Sequence, residues 1–146
     1  MNAKTSGFRP EMTPEYFNSR SAGHLPDLVG LTILSLTPEG LESRVEVRTE
    51  LMAPNGFLHA ATVIALADTS CGYACVASLP QGATGFTTLE LKANFLGTTR
   101  EGAIFCRATP APLGRTTQVW DAEVTIEGTE KRIALFRCTQ MVLWPK

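Results

Sequence analysis

Hydrophobic and polar positions alternate most cleanly between residues 41 and 48. Leu41, Ser43, Val45 and Val47 fall on one face, and Glu42, Arg44, Glu46 and Arg48 on the other. A period of two predicts a strand with one dry face and one wet face. Leu31 to Leu36 reads as its partner, joined through Thr37-Pro38-Glu39-Gly40, which has Pro and Gly where a type I turn takes them. Further upstream, Thr13-Pro14-Glu15 supplies an N-cap and a proline for the first helical position, so a short helix is expected from Pro14 to about Ala22.

Beyond the Ala53-Pro54-Asn55-Gly56 loop the pattern changes. From Leu58 to about Ser78 the chain is apolar on every side and thin, with alanine or glycine at positions 60, 61, 65, 67, 72, 74 and 77. Such a segment is expected to be a helix enclosed by protein. After Pro80 the pattern is strand-like over 86–96, 103–109, 116–126 and 131–143, with turns at 97–102, 110–114 and 127–128. The order of elements predicts an α+β fold: an antiparallel sheet curled around one long central helix. At 146 residues the chain is one domain, with residues 1–27 as an N-terminal extension carrying the short helix.

Composition narrows the function. A formal net charge of -1 provides no basic surface for nucleic acid. Cys71 and Cys75 are four apart, which makes them neighbours on a helix face rather than a C-x-x-C pair; Cys106 and Cys138 lie in separate strands. All four are expected to be small buried hydrophobes in a reducing cytosol, neither disulfide nor metal ligand. The segment 57–79 is long enough to span a membrane. It contains His59 and Asp68, however, and a mid-bilayer aspartate costs roughly 3 kcal/mol or more. The opening residues lack the apolar stretch of a signal peptide, so a cytoplasmic protein with no membrane partner is expected.

Between Glu50 and Glu90, Asp68 is the sole acidic or basic side chain apart from His59. Three readings of it compete: a structural aspartate satisfied by Thr69, Thr87 or backbone; an aspartate facing a cleft at an oligomer interface; or a functional carboxylate with a raised pKa. The loop before the helix adds a second feature. The first N–H groups of a helix lack intrahelical acceptors and carry the positive end of its dipole, so the Ala60 N–H is a candidate oxyanion donor. Ala60 and Asp68 are separated by about 12 Å along a helix, too far for one helix to present both to a single carbonyl. Two helices running antiparallel across a twofold could supply one group each, making the site a shared one.

At this point the residues resemble a known family. Gly56-Phe57-Leu58-His59-Ala60-Ala61, Leu66-Ala67-Asp68-Thr69 and Gly72-Tyr73-Ala74 resemble the signature of the PaaI-type hotdog acyl-CoA thioesterases. Thr87-Thr88-Leu89-Glu90-Leu91, Asn94-Phe95-Leu96 and Leu113-Gly114-Arg115-Thr116 are similar to its later strands, and the likeness runs from about Leu28 to Leu143. The resemblance implies hydrolysis of an acyl-CoA thioester with no metal and no bound cofactor. It assigns Asp68 as nucleophile or general base, the Ala60 N–H of the partner subunit as oxyanion donor, His59 as a shaper of the helix start, and Thr88 as the hydroxyl that positions water. Asn55, Gly56, Gly114, Arg115 and Thr116 are expected on the substrate side, with Arg115 toward CoA phosphate, in a homodimer or a dimer of dimers. Two positions depart from the family pattern: its His-Gly-Gly is His59-Ala60-Ala61 here, and its Asn or Gln six residues before the histidine is Ala53. Asn55 is the nearby substitute. Either Thr87 or Thr88 could face the site, depending on a bulge. The alternatives are a hotdog hydratase or dehydratase and a non-catalytic acyl-CoA binding module.

Overall fold

A computed structural model of the chain describes residues 7–146. Residues 1–6, the greater part of the opening segment considered for a signal peptide, lie outside the described residues. The short helix forms as the Thr13-Pro14 pattern predicts: α1 spans Pro14–Ser21, and the Thr13 hydroxyl accepts the Tyr16 N–H at 3.2 Å. A single helical turn, α2 (Leu25–Leu28), follows and leads into the hairpin β1 (Leu31–Thr37) and β2 (Gly40–Glu46). After a 3-10 turn at Thr49–Leu51 comes the long helix α3 (Ala60–Ala77), then β3 (Gly85–Phe95), β4 (Ala103–Leu113), β5 (Thr117–Ile126) and β6 (Arg132–Leu143).

The six strands form one antiparallel sheet in the order β1-β2-β4-β5-β6-β3. It curls around α3, which packs against every strand. This is the hotdog arrangement. Leu66, Ala67, Cys71, Ala74 and Cys75 turn the narrow side of α3 into the sheet, where they meet Leu41, Val45, Ile104, Trp120 and Val124. The alternation read in β2 holds: Leu41, Ser43 and Val45 are fully buried, and Ser43 belongs there because its hydroxyl pairs with that of Ser70 at 2.6 Å. All four cysteines are buried and free, and burial pushes the Cys75 and Cys106 thiols up to about 12. Cys75 and Cys106 thus fill space rather than act as nucleophiles.

Two expectations are corrected. The segment 110–114 is not simply a turn, because β4 continues to Leu113 and Pro110 pairs with Trp120 before the register shifts. Proline is tolerated there because β2 ends opposite Ala108, so one side of β4 is open beyond that point. The second correction concerns α3, which is not enclosed on all sides within one chain. Its outer stripe, Ala61, Ile64, Ala65, Asp68 and Thr69, stays partly exposed. The described part of the N-terminal extension covers the far end of that side. There the Phe17 ring stacks on Tyr73 at 4.5 Å, the Tyr73 hydroxyl meets that of Ser21 at 2.7 Å, and the Arg9 N–H donates to the Ala77 carbonyl at 2.8 Å.

Candidate active site

Asp68 sits midway along α3 on the uncovered stripe, at the boundary between helix and sheet. Its Oδ1 is sealed from solvent and accepts no hydrogen bond among the described residues. Neither Thr69 nor Thr87 bonds to it, so no partner among the described residues supports the structural reading. Burial pushes the Asp68 carboxyl above the ordinary aspartate range, with no cation nearby to counter the shift. Both Cys71 on α3 and Cys138 on β6 feel its charge, and β6 is the strand that pairs with the edge strand β3.

β3 runs beside β6 there, and its register decides which threonine looks inward. Thr88 pairs with Gln140, Glu90 pairs with Thr139, and Leu89 between them has no partner. This bulge breaks the regular alternation. Thr88 consequently shares the inner face with Phe86, Leu91 and Ala93, whose partners Val142, Cys138 and Phe136 are buried; Thr87 lies on the outer face opposite Met141. The inner side of β3 closes tightly on α3 at one point. A Cβ on Gly72, one turn beyond Asp68, would lie 3.2 Å from Cζ of Phe86.

The start of α3 is built by its own cap. His59 is extended (φ -67°, ψ 135°), and its Nδ1 accepts the Ala61 N–H at 2.9 Å. That bond requires an unprotonated Nδ1, so His59 shapes the turn. The Thr62 N–H is taken by the His59 carbonyl, while the Ala60 N–H has no acceptor among the described residues. Ala60 and Ala61 are exposed, so this free donor is accessible. In the preceding loop, Asn55 is used as a turn residue: its Oδ1 accepts the Phe57 N–H at 3.2 Å, and Gly56 takes the left-handed conformation (φ 82°).

Thr88 thus stands two residues along β3 from Phe86, whose ring meets Gly72 one turn beyond Asp68, while Asn55, Gly56, His59 and Ala60 gather at the start of α3. Gly114, Arg115 and Thr116 belong to neither group. They form the β4–β5 turn, where the Arg115 guanidinium stacks over Trp144 at 4.6 Å and the Thr116 carbonyl accepts the Val142 N–H. This turn lies beyond the C-terminal end of α3, since neighbouring Gln118 donates to the Ser78 carbonyl. One polar residue went unremarked in the sequence: Gln140, fully buried opposite Thr88. A single glutamine in a strand carries no signal of its own, and only the pairing reveals it.

The raised pKa has a consequence for stability. A carboxyl whose folded pKa exceeds its unfolded value binds more protons when folded, so it destabilises progressively as pH rises from the unfolded to the folded pKa. The cost is complete above that window, and at neutral pH Asp68 is a burden on the fold. We expect Asp68→Asn to raise Tm at pH 7 and to lose that advantage at a pH below the ordinary aspartate range, as thermal melts at the two pH values would show. A lower Tm at pH 7 would indicate a hydrogen-bonded, structural aspartate.

Comparison with known proteins places this geometry in context. The chain is 30% identical over 115 residues to a 1,4-dihydroxy-2-naphthoyl-CoA hydrolase of Listeria monocytogenes, an alignment covering 79% of this chain and 92% of that protein. It is 31% identical over 120 residues to a putative esterase of Haemophilus influenzae, covering 82% and 86%. The crystal structure of a Haemophilus influenzae thioesterase superposes with a TM-score of 0.84 at 30% identity over 90% of each chain. A Pseudomonas aeruginosa thioesterase does so with 0.84 at 28% identity, over 89% of this chain and 93% of the other. Residues 55–133, which hold the capped helix start, Asp68 and the bulged strand, match the thioesterase superfamily; this chain is a hotdog-fold member of that superfamily.

Proposed function

We propose that this protein hydrolyses acyl-CoA thioesters at a site shared between two copies of the chain. The observation that carries the reading is Asp68: a lone carboxylate on the uncovered stripe of α3, with an unpartnered oxygen and a pKa raised by burial. A carboxylate so placed, a stronger base than a solvated one because burial raises its pKa, suits attack on a carbonyl or activation of water. The free Ala60 N–H suits the oxygen of that carbonyl. Thr88 lies on the face from which water would be held.

The separation of about 12 Å between Ala60 and Asp68 along one helix supports the shared site. So does the open side of the molecule. Among the described residues β3 ends the sheet with no neighbour on its outer edge, and it exposes Leu89 (56%), Leu91 (39%) and Phe95 (47%), followed by Leu96 (57%). A long apolar edge strand beside an uncovered helix stripe suits a second copy related by a twofold, which would antialign the two α3 helices.

In the reaction, either Asp68 takes a proton from a water that adds to the thioester carbon, or Asp68 itself adds and water later cleaves the acyl-aspartyl anhydride; in both routes the oxyanion settles on the partner's Ala60 N–H, the C–S bond breaks, and the proton derived from water ends on the departing CoA thiolate. Two relatives carry the name 1,4-dihydroxy-2-naphthoyl-CoA hydrolase, so aromatic acyl-CoAs are the first substrates to assay. A thiol-release screen across aryl and short- to long-chain acyl-CoAs tests the reading. Free thiol is expected in equal amount to free acid. Hydration of the acyl chain without thiol would identify a hydratase, and binding without thiol over hours would identify a binding module.

A further inference from the structure

The floor of the sheet beneath Asp68 holds a polar side chain that the mechanism above leaves unused. Gln140, on β6, is 0% exposed and faces α3. Its Nε2 donates to Cys138 Sγ at 3.3 Å, but its Oε1 has no donor among the described residues. Buried amide oxygens are almost always satisfied, so this acceptor calls for an explanation. Its neighbour on β5, Gln118, is already engaged: Nε2 donates to the Ser78 carbonyl at 3.0 Å, and Oε1 accepts the Trp120 indole N–H at 3.0 Å. The neighbour on the other side is Thr88, its direct register partner, an exposed residue on the same face of β3 as Phe86. Directly opposed side chains on one face have Cβ atoms about 4.5–5.5 Å apart, within reach of a hydroxyl and a glutamine amide.

We propose that Gln140 is a positioning residue for Thr88: when the Thr88 hydroxyl, unbonded among the described residues, turns toward the free Gln140 Oε1, that oxygen accepts its hydrogen and so fixes Thr88 as an acceptor toward the attacking water. This rests on the hydrolysis reading, with Asp68 as general base. A threonine hydroxyl has one hydrogen and two lone pairs. If the hydrogen pointed at water, it would occupy the lone pair that must attack. With it held by Gln140, Thr88 Oγ1 takes one hydrogen of the water by hydrogen bonding, and Asp68 removes the other as the new C–O bond forms. When the C–S bond breaks, that proton passes from Asp68 to the departing thiolate. The acid keeps the water oxygen, and the carboxylate is regenerated.

The test uses the full chain and steady-state kinetics on the best acyl-CoA from the screen, with Gln140→Met, Thr88→Val and the double variant. Gln140→Met keeps the length and volume of the side chain while removing the acceptor. We expect kcat to fall about tenfold for each single variant with KM within about twofold. The double variant is expected to be no slower than Thr88→Val, since both remove one unit. The acid limb of the pH profile should not move in Gln140→Met, and Thr88→Ser should keep most activity. Native kcat in Gln140→Met, additive losses, or a shifted acid limb (which would mean Gln140 acts on Asp68) would each overturn the inference. If Gln140→Met melts out, Gln140→Glu, which keeps a carbonyl oxygen in place, is expected to stay active, and its inactivity in a folded protein would equally overturn it. These outcomes are separable from the hydrolysis reading, which fails only if the native protein releases no thiol or Asp68→Asn remains active.

Discussion

The Asp68→Asn enzyme loses about a hundredfold or more of kcat, with KM for acyl-CoA changed by no more than a few-fold. The expectation follows from what surrounds the carboxylate. It has no cation to neutralise and no hydrogen-bond donor that depends on Oδ1, so the amide replaces it without breaking a contact. What disappears is basicity and nucleophilicity. Because burial raises its pKa, the same group should set the acid limb of the native pH–rate profile. Activity falls as pH drops through a value above the ordinary aspartate range and is fully present above it. More than about a tenth of native activity in a folded Asp68→Asn protein would remove Asp68 from the chemistry.

Ala60→Pro is the sharper probe of the helix start. Proline is favoured at the first helical position, where its missing N–H breaks no intrahelical bond, and the residue before it must be extended. His59 already is, at φ -67° and ψ 135°, and its cap bond goes to Ala61 rather than Ala60. The substitution therefore deletes one N–H and leaves the cap standing. Loss of one oxyanion donor lowers kcat by about a hundred- to a thousandfold, and Tm should remain close to native. Ala60→Gly keeps the N–H and serves as the control, retaining activity within about tenfold. Equal losses in the two variants would trace the effect to helix geometry rather than to the N–H.

Much of the architecture was legible because it depends on periodicity. The alternation in Leu41–Val45 is a local property, and so is the breadth of the apolar run that became α3. The features that were not legible depend on pairing. Nothing in Thr87-Thr88-Leu89-Glu90 announces that Leu89 is the extra residue, yet that bulge alone decides which threonine looks inward. Pro110 read as a turn because its tolerance in β4 depends on where β2 stops, a matter of the neighbouring strand's length. Asn55 could not be separated into turn residue or ligand by composition; the Phe57 N–H on its Oδ1 shows that it builds the turn. Gln140 was silent for the same reason, since its meaning lies in the residue opposite. The outer stripe of α3 misled in a different way. Apolar character on all sides predicts a helix enclosed by protein without saying whose, and Ala61, Ile64 and Ala65 remain open in a single copy.

Co-expression of Asp68→Asn with Ala60→Pro decides whether the site is divided between two chains. In a mixed dimer one site combines the intact Asp68 of one chain with the intact Ala60 N–H of the other, while the second site lacks both. Random pairing makes half the dimers mixed, so the co-expressed protein should regain about a quarter of native kcat although each parent alone is nearly inactive. Activity no greater than the sum of the two parents, in a preparation shown by mass to contain mixed dimers, would contradict a site divided between two chains.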